Sequence, residues 1–331
     1  METVGKYLSE LSLGDQTVYT NLTMFGIEGI SDESLQYLTL EDAVAMGVAR
    51  VSEISDAGSV PELLFENSAD LPVLILDGEE LIGAKQNRTV NLTILAPARK
   101  TTRIPVSCVE AGRWRHESAH FVMSDRHHFA RGRARKAEAV SCSLQQDGSR
   151  HSDQRRVWAD IDAKAARMQA RSATQAMAEI FDRHRASLDS YVEAFAAGDS
   201  QIGALFAIGS EIVGLDLFDR HSVLTAVLPK LVRSYAIDAM EAERAHGQGA
   251  TKRVAEAFLD RLAEAEIETY EAVGLGSDLR IGSQEMVGGA LVVDDHLVHL
   301  AAFAAGTESI GGETGGGRMA RMRSRRASYR N

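Results

Sequence analysis

Along the first third of the chain, short clusters of β-branched and aliphatic residues are separated by Gly, Asp and Pro, and four of the five prolines (Pro61, Pro72, Pro97, Pro105) fall there. That punctuation predicts strands, the clearest around Val18 to Ile27, Ala49 to Ile54, Glu62 to Glu66, Val73 to Leu76, Val90 to Leu95 and Thr102 to Val109. A twisted, mainly antiparallel sheet is the arrangement they favour. From Ala130 to Ala197 the pattern changes: proline is absent, Ala and Arg are abundant, and Val157, Ile161, Ala165 and Met168 recur at helical spacing. Ser172 followed by Gln175 has the spacing of a capping box, so a new helix is expected to start there and to carry Phe181, Leu188, Val192 and Phe195. Between Gln201 and Leu217, glycines at 203, 209 and 214 punctuate an apolar run that suits a buried strand pair. Helical spacing returns at Leu224, Val227, Leu228, Leu231 and Tyr235, and Ile267 to Phe303 is again strand-rich. The expected fold class is α+β, with a mainly antiparallel N-terminal sheet, a helical middle third and further strands toward the C-terminus.

Composition narrows this picture. A chain of 331 residues, 44% hydrophobic, is long enough to bury a sizeable core, and no Pro/Ser-rich or charged linker divides Thr17 from Ala305. One α+β domain over residues 1–305 is expected. The Gly-rich and then Arg-rich end, 306–331, holds too little apolar surface to order itself and reads as a disordered tail. The N-terminus has neither the basic nor the apolar region of a secretory signal, and no apolar run approaches the length of a membrane span. Cys108 and Cys142 have no CxxC spacing, so both read as thiols in a reducing cytoplasm. A net charge of −11 disfavours nucleic acid as a partner, except through the tail arginines Arg318, Arg321, Arg323, Arg325, Arg326 and Arg330.

Candidate chemistry is concentrated in two polar islands. In the first, an apolar strand ends at Asp77 and Gly78, and Glu79, Glu80, Lys85, Gln86, Asn87 and Arg88 follow before the next apolar strand. Lys85 offers a point charge and Arg88 a planar fork of donors, both suited to a diphosphate, while Gly83 permits close backbone approach. Glu79 or Glu80 can bind ribose hydroxyls or act as a general base; as neighbours on a strand they point to opposite faces, so one of them faces the site. The second island, Ser107 to Trp114, adds Glu110 as a further proton-handling carboxylate, Arg113 as a phosphate contact and Trp114 as a stacking surface. Cys108 sits where a nucleophile would, without a His nearby in sequence. The same side chains also read as a solvated, salt-bridged surface, or as an interface in an assembly factor.

These islands resemble the ARG-and-rhodanese-phosphatase-superfamily-associated protein domain family. The resemblance rests on Asp77, Gly78 and Glu79 leading to Gly83, Ala84, Lys85, Gln86, Asn87 and Arg88, then Ser107, Cys108, Val109 and Glu110 ending in Arg113 and Trp114. It continues through Val157 and Trp158, Gly214 to Phe218 and Gly274 to Arg280, up to about Phe303. Companionship with ADP-ribosylglycohydrolases implies a role on ADP-ribose or another NAD-derived nucleotide, with an ADP-ribosylglycohydrolase-type partner. A hydrolase or transferase and a non-catalytic binding module both fit. No cofactor is expected, and the metal is left unassigned.

Two motifs point elsewhere. His116, Glu117 and His120 spell His-Glu-x-x-His, which binds zinc only on a helix; following a strand end, it reads as part of a polar loop, and the adjacent His127 and His128, which could supply additional ligands, read as solvated side chains in an Arg-rich run. Gly274 to Arg280 resembles a phosphate-binding glycine loop but lacks its third Gly and its Lys-Ser/Thr, so a turn between strands is expected. From that turn, Arg280 is a candidate ligand contact across from the first islands, together with Asp278.

Overall fold

The computed structural model describes residues 2–55, 59–115, 118, 120–242 and 249–305. The expected tail, 306–331, lies outside the described residues, as do His116 and Glu117. The chain begins with α1 (Glu2–Ser9), β1 (Ser12–Tyr19), β2 (Leu22–Glu28), β3 (Leu38–Thr39), α2 (Leu40–Ala45), β4 (Ala49–Glu53) and β5 (Glu62–Asn67). Next come β6 (Val73–Ile75), β7 (Glu79–Gly83), β8 (Arg88–Val90), β9 (Ile94–Ala96), β10 (Thr101–Cys108) and β11 (Phe121–His127), with the islands on β7, the start of β8, the end of β10 and the turns beside them. The helical third comprises α3 (Ala130–Asp147), α4 (Gln154–Arg167), α5 (Ala178–Arg183) and α6 (Arg185–Ala194). The last part contains β12 (Gln201–Ile208), β13 (Glu211–Phe218), α7 (His221–Glu241), α8 (Lys252–Ala263), β14 (Glu266–Glu271), β15 (Ser277–Gly282), β16 (Met286–Val293) and β17 (His296–Ala304).

The fold is α+β, and the strands among the described residues form three β systems. An eight-stranded sheet runs β1-β2-β12-β13-β17-β16-β15-β14, so the first hairpin pairs with strands from the far end of the chain. β10-β5-β4-β11-β7-β8 close into a barrel, and β3-β6-β9 form a small third sheet in which β3 and β6 run parallel. β12 is buried along its whole length because both sheet faces are covered. Ala204 and Phe206 face the core that holds Leu228 and Tyr235 of α7, whereas Leu205 and Ala207 face Phe258 and Leu262 of α8. The barrel interior is filled by Val51, Leu63, Phe65, Leu81, Ile104 and Phe121.

Two local expectations are corrected. Ser172 does not open a helix: its hydroxyl accepts from the amides of Thr174 and Ala176, Gln175 takes a φ of 54°, and α5 starts only at Ala178. The reason is tertiary. The amide of Gly112 donates to Thr174 O at 2.8 Å and that of Met177 to Val109 O at 2.8 Å, which pins this segment against the second island. His127 and His128, expected to be solvated, are instead buried, His127 as the last residue of β11 and His128 immediately after it. No helix among the described residues is long and apolar enough to cross a membrane.

Candidate functional site

The turn at Asp77 and Gly78 aims the first island. Gly78 has a φ of 84°, a left-handed conformation natural to glycine, and a Cβ there would lie 2.9 Å from Cδ of Arg133. β7 starts immediately afterwards, so Glu79 and Glu80 point to opposite sides and enter different surroundings.

Glu80 is buried in an ion-pair network. Its Oε2 accepts from Arg126 Nε at 2.7 Å and from Ser124 Oγ at 2.9 Å, and Arg126 also reaches Asp182 at 3.0 Å. Burial pushes the Glu80 carboxyl above its ordinary value against the pull of Arg126. The network lies in a bulge: Met123 pairs with Leu81 and His127 with Glu79, so Ser124, Asp125 and Arg126 stand opposite Glu80 alone. Bulges re-aim the side chain that follows them. Here that side chain is His127, which is set opposite Glu79.

Glu79 faces a cavity of about 280 Å³ between α2, β6, β7 and α7. The α7 wall follows helical spacing, with Val223, Val227 and Lys230 on one face. Leu40, Leu74 and Leu76 supply the apolar side, and Thr39, Glu41 and Asp42 the polar edge. Lys230 Nζ pairs with Glu41 at 2.6 Å; the lysine is buried, whereas the Glu41 side chain is 62% exposed and therefore stands toward solvent. The Glu79 carboxylate accepts from the Leu76 amide at 3.1 Å. Burial pushes its pKa up to about 7, although Lys230 and the Leu76 hydrogen bond pull it down. The cavity thus sets a buried carboxyl of raised pKa and a buried lysine in one lining, which suits acid–base chemistry on a small polar ligand.

The rest of the islands gather at the end of the barrel. Glu110 accepts from Arg113 Nε at 2.8 Å, from Thr174 Oγ1 at 2.7 Å and from the Asn87 amide at 3.2 Å. Against the desolvation of partial burial, these bonds hold Glu110 below its ordinary value, so it is an ionised clamp. Arg113 also donates to Ala84 O at 2.8 Å and Asn87 Oδ1 at 3.0 Å. The φ of Gly83 is 126°, and a Cβ there would meet Ser118 Oγ at 2.5 Å, so its freedom serves this loop. Arg88 points into the barrel beside Leu81 and Cys108, its cross-strand partners. It is fully buried, donates to Gln86 O and Oε1 at 3.1 Å, and lies 3.8 Å from Glu53. Cys108 Sγ donates to Gln86 Oε1 at 3.0 Å, and burial pushes the thiol up to about 11, opposite to what a nucleophile needs. Trp114, 49% exposed, covers this end, with Lys85 Nζ 5.4 Å and Arg88 Cζ 5.8 Å from its ring centre.

Arg280 is buried elsewhere, donating to Ala137 O at 3.0 Å and Ser141 Oγ at 3.2 Å of α3 and pairing with Asp278 at 3.3 Å. It shares a small cavity with Asp77 and Asn91 of the first island. Next to it, Asp77, Asp216 and His299 bring three potential metal-ligand atoms within 4.8 Å of one another. The Arg133 guanidinium already bonds both carboxylates, at 3.0 Å to Asp77 and 2.5 Å to Asp216, and supplies the counter-charge between them. Of the His-Glu-x-x-His stretch, His120 is described; it is exposed and lies in a bend before β11.

The predicted site residues thus divide into three groups. Lys85, Gln86, Asn87, Arg88, Glu110, Arg113 and Trp114 come together at the barrel end, Glu79 opens on the α7 cavity, and Glu80 and Arg280 are held in separate buried networks. Lys230 and His127 were not singled out as site residues by sequence. Lys230 carries a readable signal, a cation seven residues after Val223 on the core-facing stripe of α7. His127 depends on a bulge that no sequence period announces. No curated protein and no solved structure matches the chain. The model of the ARG and Rhodanese-Phosphatase-superfamily-associated Protein domain matches residues 10–303, and the chain belongs to that family.

Proposed function

We propose that this family member binds and acts on ADP-ribose or another NAD-derived nucleotide, taking a ribose into the cavity beside Glu79. The observation that carries the reading is geometric: Glu79 and Lys230, both buried, line the same cavity, and burial pushes the Glu79 carboxyl up. The cavity lies near the lower end of the roughly 300–1,000 Å³ usual for small-molecule sites, so part of a nucleotide enters it. Glu41, Asp42 and Glu79 outnumber Lys230 there, which favours a hydroxyl-rich, uncharged group over a diphosphate. In this reading Lys230 contacts the ribose, Glu79 exchanges a proton with a hydroxyl or a water, and the phosphates remain outside. The ligand class comes from the family's association with the ADP-ribosylglycohydrolase group, and a protein of that type is the proposed partner in a reducing cytoplasm.

A second reading, a non-catalytic module, is favoured by Trp114: its exposed ring offers a face for an adenine above Lys85 and Arg88. Calorimetric titration of ADP-ribose, NAD and AMP, with chromatography of the incubated mixtures, separates the two. The first reading predicts binding and conversion of at least one ligand, with conversion lost in Glu79→Gln. Binding of all three without conversion, abolished by Trp114→Ala, supports the module instead. Absence of binding to any of them contradicts both and leaves an assembly role.

A further inference from the structure

His127 is 1% exposed, and among the described residues neither of its ring nitrogens has a hydrogen-bond partner. A buried polar group left unsatisfied is costly, so its presence calls for a reason. Glu79 Oε1 lies 4.0 Å from Nε2 of His127. The bulge held by Glu80, Arg126 and Ser124 sets His127 directly across from Glu79 on the neighbouring strand. The other carboxylate oxygen of Glu79, Oε2, is already fixed by the Leu76 amide. A closure of roughly 1 Å brings Nε2 to hydrogen-bonding distance of Oε1.

We propose that His127 is the positioning residue of Glu79: its Nε2–H closes onto Oε1 when the carboxylate is ionised, so that both oxygens are fixed and their remaining lone pairs face the cavity. This inference rests on Glu79 being the proton-handling group. The surroundings keep the imidazole neutral and hence able to donate from one nitrogen only. Burial depresses its basicity, the positive charges of Arg133 on α3 and Lys230 on α7 add to that effect, and Asp77 opposes it. The field of His299 on β17 lowers the imidazole further, and those of Glu41 and Asp77 raise the Glu79 carboxyl. The Arg126, Ser124 and Glu80 network thereby acquires a purpose: it holds the bulge that aims the imidazole.

The test uses the whole protein and needs no ligand. ¹⁵N imidazole NMR of the wild type at pH 8.5 is expected to show His127 neutral, with its proton on Nε2. A proton on Nδ1 with a bare Nε2 overturns the proposal. Carboxyl ¹³C NMR then follows Glu79 in the wild type, His127→Gln and His127→Leu. Loss of the donor in His127→Leu raises the Glu79 midpoint by about one pH unit, and the Gln amide restores it. An unmoved midpoint in a folded His127→Leu variant also overturns the proposal. If Glu79 of the wild type titrates in the ordinary carboxylate range, the reading of Glu79 as proton handler fails, while the His127 tautomer still reports whether the contact exists.

Discussion

Arg126 Nε donates to Glu80 Oε2 at 2.7 Å, and this bond assigns different fates to two glutamates adjacent in sequence. Glu80 is bound into the wall between β7 and β11, leaving Glu79 to face the cavity. Removing one partner of a buried pair strands the other charge, so Arg126→Leu is expected to destabilise the protein by about 3–5 kcal/mol in urea unfolding. The Glu80→Leu/Arg126→Leu double variant should lose less than Arg126→Leu alone. Additive losses would show that the two side chains act independently.

Glu79 gives stability a pH dependence whose sign is fixed by its raised pKa. Its contribution is fully present below the unfolded value near 4.5 and is lost as pH rises through about 7, because ionisation in the folded protein is disfavoured. Glu79→Gln removes this loss. The variant should be more stable than the wild type above pH 7 by about 3 kcal/mol, with the gap closing toward pH 4.5. Urea midpoints measured from pH 4.5 to 8.5 check this, and parallel curves for the two proteins would contradict the raised pKa.

At the barrel end, Glu110 is expected to behave as structure. Glu110→Ala leaves the buried Arg113 without its carboxylate, at a cost of about 3–5 kcal/mol. It should leave the pH dependence of any conversion unchanged, since an ionised clamp has no proton to exchange. A pH profile displaced in this variant would return Glu110 to the chemistry.

Trp114 offers a contrast. Half-exposed and held over two cations, it should contribute under about 1 kcal/mol to stability. Trp114→Ala therefore tests binding without the confusion of unfolding. A large loss in thermal stability would instead mark the ring as part of the core.

How much of this was legible in the chain follows from which interactions decide each element. An apolar run punctuated by glycines located β12 and β13, and helical spacing located α7, because burial on both sheet faces or along one helical stripe writes itself into composition. No helix opens at Ser172 because Thr174 and Met177, which would continue it, are engaged by Gly112, Glu110 and Val109, more than sixty residues away in sequence. The islands were visible as polar clusters after apolar strands, and the opposition of Glu79 and Glu80 followed from strand geometry alone. Their distribution among a cavity, an ion-pair network and a barrel end was not visible, since it depends on barrel closure and on a three-residue bulge opposite Glu80. Arg88 illustrates the limit: its donors suit a phosphate, yet the strand register turns it into the barrel interior.

The central claim is that the cavity beside Glu79, rather than the barrel end, receives the ligand. The most direct measurement is calorimetric titration of ADP-ribose into the wild type, Lys230→Ala and Lys85→Ala/Trp114→Ala. The cavity account predicts saturable binding that is lost or weakened at least tenfold in Lys230→Ala, a difference of about 1.4 kcal/mol, and largely kept in the double variant. Binding that survives Lys230→Ala unchanged and disappears in Lys85→Ala/Trp114→Ala would contradict it and move the site to the barrel end beneath Trp114.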